Sequence, residues 1–346
     1  MEANRDCGRK LLLALAVGLM LNSQALLAQC WNADGPHLQE GRATLGGAAD
    51  ALGRIYAIGG QDRSETPLDT VERFDEENGE VWEFIDRLNE RRGQLGAAVD
   101  CRGRIYAISG LGIDRLLNTV ERYDPADENA GWQFVKPLRI ARAELGAASS
   151  GGYIYAIGGG IGENVFTATV ERYDPCEDRW DFIKPLNVAR ISFGTAVDDV
   201  GRIYVIGGRL TNGQHLRSVE MYDPARPEQG WVLLPEKKWL LGPARHVGAC
   251  STGPNGLIYV MGGWEPGYMK RVDRYRPILT PEFGPIRKFG KWLEHDPDFD
   301  LAESNNNMGS AVSRSGTIYV FGGDRRWETV QRLFVPRKFA RRCNPK

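Results

Sequence analysis

Ile154-Tyr155-Ala156-Ile157-Gly158-Gly159 decides the fold, because it recurs. Upstream it reads Ile55-Tyr56-Ala57-Ile58-Gly59-Gly60 and Ile105-Tyr106-Ala107-Ile108-Ser109-Gly110. Downstream it reads Ile203-Tyr204-Val205-Ile206-Gly207-Gly208, Ile258-Tyr259-Val260-Met261-Gly262-Gly263 and Ile318-Tyr319-Val320-Phe321-Gly322-Gly323. The six copies are spaced by 50, 49, 49, 55 and 60 residues, the mark of an array of like units. Four successive apolar residues suit a short strand covered on both faces. The Gly doublet lets the chain turn sharply or approach a neighbour closely, and no helix follows it to make a phosphate site.

Each copy is followed by a second landmark, such as Val71-Glu72-Arg73-Phe74, Val120-Glu121-Arg122-Tyr123 or Val170-Glu171-Arg172-Tyr173, ending at Val330-Gln331-Arg332-Leu333. A Trp then opens a further segment at Trp82, Trp132, Trp180, Trp231 and Trp292. A small-residue run such as Leu95-Gly96-Ala97-Ala98-Val99 precedes each copy, so every unit holds four short strands. One such sheet cannot shield both of its faces, whereas six around an axis can, with the small residues innermost. The expected fold is an all-β, six-bladed β-propeller. Its last unit lacks a closing Trp, and Trp31 stands ahead of Arg42 much as Trp82 stands ahead of Arg92. A strand from Trp31 to about Leu38 is therefore expected to complete the sixth blade and remove the open seam.

These landmarks resemble the kelch motif over essentially the whole chain after residue 28. About one residue in eight is Gly (42 of 346), against roughly one in fourteen in ordinary globular chains, which fits a fold that uses Gly repeatedly. Residues 1–28 read as a signal peptide: Arg5, Arg9 and Lys10 precede an apolar run, with cleavage expected after Ala28 or Ala25. The propeller would then occupy residues 29–346, in a secreted or periplasmic location. Lipoprotein anchoring is a minor alternative at Cys30, where Gln29 departs from the small residue that signal prefers. Cys30 and Cys343 flank the strands that would meet at the seam, and either form a disulfide in an oxidising compartment or remain separate thiols.

A formal net charge of −1 gives no electrostatic case for nucleic acid. No later segment is apolar enough to span a bilayer, and no Cys/His spacing suggests a metal or other cofactor. Function is therefore sought in the loops. Strand order places the segments leading into the inner strands on the same face as the loops after the Gly doublets. Those leading segments carry Arg42, Arg92, Arg142, Arg190 and Arg245, with Asn305 in the corresponding place of the sixth unit. Six-fold geometry turns them into an arginine ring at one channel mouth, suited to carboxylates or sulfates, or into structural arginines paired with neighbouring acids. Arg209 and Trp264 follow two of the doublets and join the candidate ligand-binding set.

Resemblance to the kelch domain that reads acidic degron peptides implies that Arg142, Arg190 and Arg245 hold carboxylates. The expected partner is a protein, a peptide or an acidic carbohydrate. Exported relatives of similar architecture include sialic acid mutarotases, and similarity to them implies an acid/base pair near an anomeric carbon, for which Glu144 and His246 are the candidates. Copper radical oxidases on kelch propellers need a crosslinked Cys-Tyr pair near the axis, and the loops of this face carry no Cys. The leading expectation is a binding module; the alternative is a mutarotase or epimerase.

Overall fold

The computed structural model describes residues 31–335 except 34, 80, 241 and 279–288. The expected signal peptide at 1–28, Cys30 and Cys343 lie outside the described residues. Among the described residues five four-stranded antiparallel sheets and one of three strands follow one another along the chain, each with its strands in sequential order, and Gly160–Gly162 with Val165–Phe166 forms a two-stranded hairpin inserted in the third. Blade 1 runs Gly46–Ala49, Ile55–Ile58, Val71–Phe74, Glu83–Ile85. Blade 6 runs Gly309–Val312, Thr317–Phe321, Val330–Phe334.

The pattern of burial explains why the blades need one another. Every residue of Ile55–Ile58, Ile203–Ile206 and Ile258–Met261 is buried, so both faces of these strands are covered. The apolar side chains collect into six clusters, and each cluster combines two consecutive blades. One joins Tyr56 and Ile58 of blade 1 to Ile105, Ala107 and Trp132 of blade 2. The cluster that closes the circle joins Tyr319 and Phe321 of blade 6 to Ile55, Phe74 and Trp82 of blade 1. Each blade buries its faces only against neighbours, which makes the ring the cooperative unit.

Closure takes the expected form. Asn32 and Arg332 exchange backbone hydrogen bonds of 2.9 Å in both directions, and the Leu38 N–H reaches the Glu328 carbonyl at 3.0 Å. Trp31 is 4% exposed and packs in the cluster between blades 5 and 6, with Leu333 and Ile318. That is the place Trp82 takes between blades 6 and 1, so Trp31 serves as the missing Trp of blade 6. The contact is one bridge rather than a full strand.

The Gly doublet earns its place by geometry. Gly60 has φ +103°, and a Cβ there would lie 2.7 Å from the Ala43 carbonyl oxygen, a conformation and an approach that exclude a side chain. In blade 2, Ser109 holds the first position of the doublet at φ 59°. Its hydroxyl lies 2.6 Å from the Leu117 and 2.7 Å from the Arg142 carbonyl oxygen, which offsets the left-handed strain.

Candidate functional site

The leading arginines do not line the channel mouth. Arg42, Arg92, Arg142, Arg190 and Arg245 are all 0% exposed. Each enters its own blade and meets the acid of the third strand: Glu72 at 2.8 Å, Glu121, Glu171 and Glu220 at 2.7 Å, and Asp273 at 2.8 Å. Arg142 also donates to the Gly158 and Thr169 carbonyls at 2.9 and 3.0 Å. Glu171 accepts the backbone N–H groups of Arg139 and Ile140 as well. Burial pulls the Arg142 guanidinium below its ordinary pKa, against the pull of Glu171. A fully buried guanidinium paired with a buried carboxylate, and in blades 1 to 4 also bonded to backbone carbonyls, is a bolt between the lead-in segment and the sheet, so of the two expectations for the arginine series the structural one holds and the ligand-binding ring is set aside.

Asn305 confirms the point by substitution. It is 1% exposed and donates to the Gly322 carbonyl at 2.8 Å, as Arg42 does to Gly59. The third-strand acid is simultaneously replaced by Gln331, itself 1% exposed and bonded to Glu303 in both directions. Blade 6 thus exchanges a charged pair for a neutral one, leaving no buried charge without a partner. Asn305 is likewise not a ligand-facing group.

The mouth is built instead from residues two positions further on: Thr44, Gln94, Glu144, Ser192 and Asn307, with His246 from blade 5. A chain of backbone hydrogen bonds encircles the axis, from Thr44 to Asn307, Gln94 to Thr44, Glu144 to Gln94, Ser192 to Glu144 and Val247 to Ser192. Five of these residues hold φ between 51° and 53°, an uncommon conformation for residues other than Gly. Blade 5 breaks the pattern. Its segment Arg245-His246-Val247-Gly248 is one residue shorter than Arg42-Ala43-Thr44-Leu45-Gly46, which removes the strained residue and brings His246 to the cavity.

The mouth cavity of about 330 Å³ is lined by these residues and by Arg209. On one side its polar groups are already engaged, Thr44 with Gln61 at 2.9 Å and Asn307 with Asp324 at 2.9 Å. On the side of blades 3 to 5 some are not. Ser192 hydrogen-bonds Glu144. Arg209 Nε and His246 Nε2 are buried and have no hydrogen-bond partner, an arrangement that costs free energy unless something supplies the missing bond. The Arg209 guanidinium lies over the Phe166 ring, 5.4 Å from its centroid, and no carboxylate forms an ion pair with it among the described residues.

His246 is held by His215 and Trp264, with ring centroids 4.6 and 5.9 Å away. His215 in turn contacts the Glu265 carboxylate. Burial, then the nearby His215 and Arg209, push the His246 pKa down to about 4. At neutral pH His246 is therefore an uncharged imidazole that can donate or accept.

The structure thus gathers three of the sequence candidates, Glu144, His246 and Arg209, around one cavity. Trp264, 37% exposed, packs against His246 and supplies no part of the cavity wall. Ser192, Gln94, Thr44 and Asn307 complete the rim. They share no residue type, so only their register relative to each buried Arg identifies them. No helix among the described residues is long and apolar enough to cross a membrane.

A family model described as Kelch motif matches residues 52–85, 141–187 and 193–238. Those spans coincide with blades 1, 3 and 4; blade 2 carries Ser109 in place of the first Gly, and blades 5 and 6 follow the longer repeat spacings. No curated protein matches the chain. The chain is similar to a solved structure titled "Structure of YjhT", with a TM-score of 0.67 and 14% sequence identity, covering 86% of this chain and 95% of that one. At this identity the likeness is one of fold.

Proposed function

We propose that this chain, a kelch-repeat β-propeller, is a binding module that takes an anionic group of its ligand into the channel mouth. The observation that carries the reading is that Arg209, which has no ion-pair carboxylate among the described residues, and the neutral imidazole of His246 share the wall of one cavity. A carboxylate answers both: it accepts from the guanidinium, which has no carboxylate of its own, and from a neutral imidazole in its N–H tautomer. Ser192 and Glu144 supply further hydrogen bonds to hydroxyl or amide groups beside it. The residues 1–28 motivate a location outside the cytoplasm, which a mature N-terminus at Gln29 or Leu26 would support.

Calorimetric titration with short peptides bearing free C-terminal carboxylates and with acidic monosaccharides tests the proposal. Binding to the intact protein that Arg209→Ala removes supports it. Undiminished binding to Arg209→Ala defeats it.

A second reading rests on Glu144 and the neutral His246 sharing the cavity with Arg209. An acid/base pair beside a carboxylate receiver is what ring opening of an acidic sugar requires. NMR of a freshly dissolved acidic sugar separates the two readings. Anomeric equilibration no faster with the protein than without it removes the catalytic one for that sugar.

A further inference from the structure

A second cavity, of about 390 Å³, opens from the mouth between the loops of blades 2 and 3. Gln94, Glu144 and Arg209 line both, so the two cavities adjoin. The floor of the outer part is apolar, with Leu111, Leu116, Phe166 and Ile191. Its far wall carries Asp114 and Glu163, near the tips of two hairpins. Neither forms an ion pair among the described residues, and Arg115, next to Asp114, is committed to Glu90 at 2.7 Å. The cleft thus carries Arg209, without an ion-pair partner, beside the Ser192-bound Glu144 where it meets the mouth, and two further carboxylates, Asp114 and Glu163, away from it.

We infer that the occupant is an extended peptide with a carboxylate seated at Arg209 and a basic side chain further along, facing Asp114 and Glu163. This rests on the mouth being the anion site. Charge complementarity sets the polarity of the peptide. The hairpins around the cleft also present exposed aliphatic side chains, Ile113 at 73%, Ile161 at 37% and Val165 at 51% exposure. A sugar chain fits less well, because the one aromatic ring on the floor, Phe166, is already covered by the Arg209 guanidinium.

The test begins with selection of random displayed peptides with free C-termini on the full chain, followed by fluorescence anisotropy of the enriched sequences. Enrichment of a basic residue together with a carboxylate is expected. The double variant Asp114→Asn, Glu163→Gln alters only exposed side chains near hairpin tips. It should weaken the enriched peptides roughly tenfold at low salt, as loss of two charges facing one cation implies. Versions of the peptides with Gln in place of the basic residue should bind the double variant and the original protein equally.

Enriched peptides without a basic residue, or equal binding of the basic peptides to both proteins, overturn the inference while leaving the mouth site standing. So does an acidic oligosaccharide that displaces nothing from the outer cleft yet binds more tightly than any selected peptide. Full binding of the enriched peptides to Arg209→Ala instead brings down the mouth site itself.

Discussion

Replacing Arg142 with Ala leaves Glu171 fully buried with only the backbone N–H groups of Arg139 and Ile140 for company. Lost with the guanidinium are its bonds to the Gly158 carbonyl, the Thr169 carbonyl and hydroxyl, and the 2.7 Å contact to Glu171. Removing one partner of a buried ion pair typically costs about 3–5 kcal/mol, and Arg142→Ala should fall in that range. Blade 6 shows the remedy, since Asn305 and Gln331 occupy the same two places without charge. The double variant Arg142→Asn, Glu171→Gln should therefore lose less than the sum of its single changes, with a coupling of about 2 kcal/mol. Urea denaturation of the original protein, Arg142→Ala, Arg142→Asn, Glu171→Gln and the double variant measures this, read from midpoints at constant slope. Ligand affinity should be unchanged in the double variant. Additive single changes, an Arg142→Ala cost below about 1 kcal/mol, or loss of ligand binding at full stability would refute the structural role.

Arg209→Ala should do the reverse. Stability should hold, while affinity for a carboxylate ligand falls by about tenfold to a hundredfold, the worth of a charge-assisted hydrogen bond of roughly 1.5–3 kcal/mol; calorimetry of ligand and chemical denaturation together check both halves. His246, with its pKa pushed down to about 4, binds fewer protons folded than unfolded between that value and the ordinary one near 6.5. Its contribution to stability is therefore complete above about pH 6.5 and declines as the pH falls towards 4. His246→Gln should flatten that decline, and NMR of the imidazole should show it still neutral at about pH 6. Trp31→Ala and Trp82→Ala should each destabilise by about 3–5 kcal/mol, because both fill the gap between adjacent blades; a cost near zero for Trp31→Ala in denaturation would show that the seam is not closed by this residue. Gly208→Ala places a Cβ 2.6 Å from the Ile191 carbonyl oxygen at φ +98° and should cost about 1–3 kcal/mol, read from the same curves.

The propeller was legible because its causes are local and repeated. The apolar quartet, the Gly doublet and the Trp each state a burial requirement, and the lone Trp31 ahead of Arg42 states the closure. The arginine series was legible as a pattern, but its spacing does not say which way the side chain points. The informative signal was the acid in each Val-Glu-Arg landmark, together with the simultaneous change to Asn305 and Gln331 in the sixth repeat. A ligand-binding series has no reason to change in step with a third-strand residue, whereas a buried pair must. The mouth residues Thr44, Gln94, Glu144, Ser192 and Asn307 were hard to find because their residue type changes from blade to blade and no motif marks them. The missing residue before Gly248 was visible in the spacing, yet only the backbone shows that it trades a left-handed residue for His246.

The most direct test of the account is a crystal structure of the protein with a peptide selected on it. A peptide carboxylate is expected within hydrogen-bond reach of the Arg209 guanidinium and the His246 imidazole, with Arg142 and Arg190 still enclosed beside Glu171 and Glu220. A peptide on the opposite face of the ring, or one contacting the leading arginines in place of their acids, would contradict it.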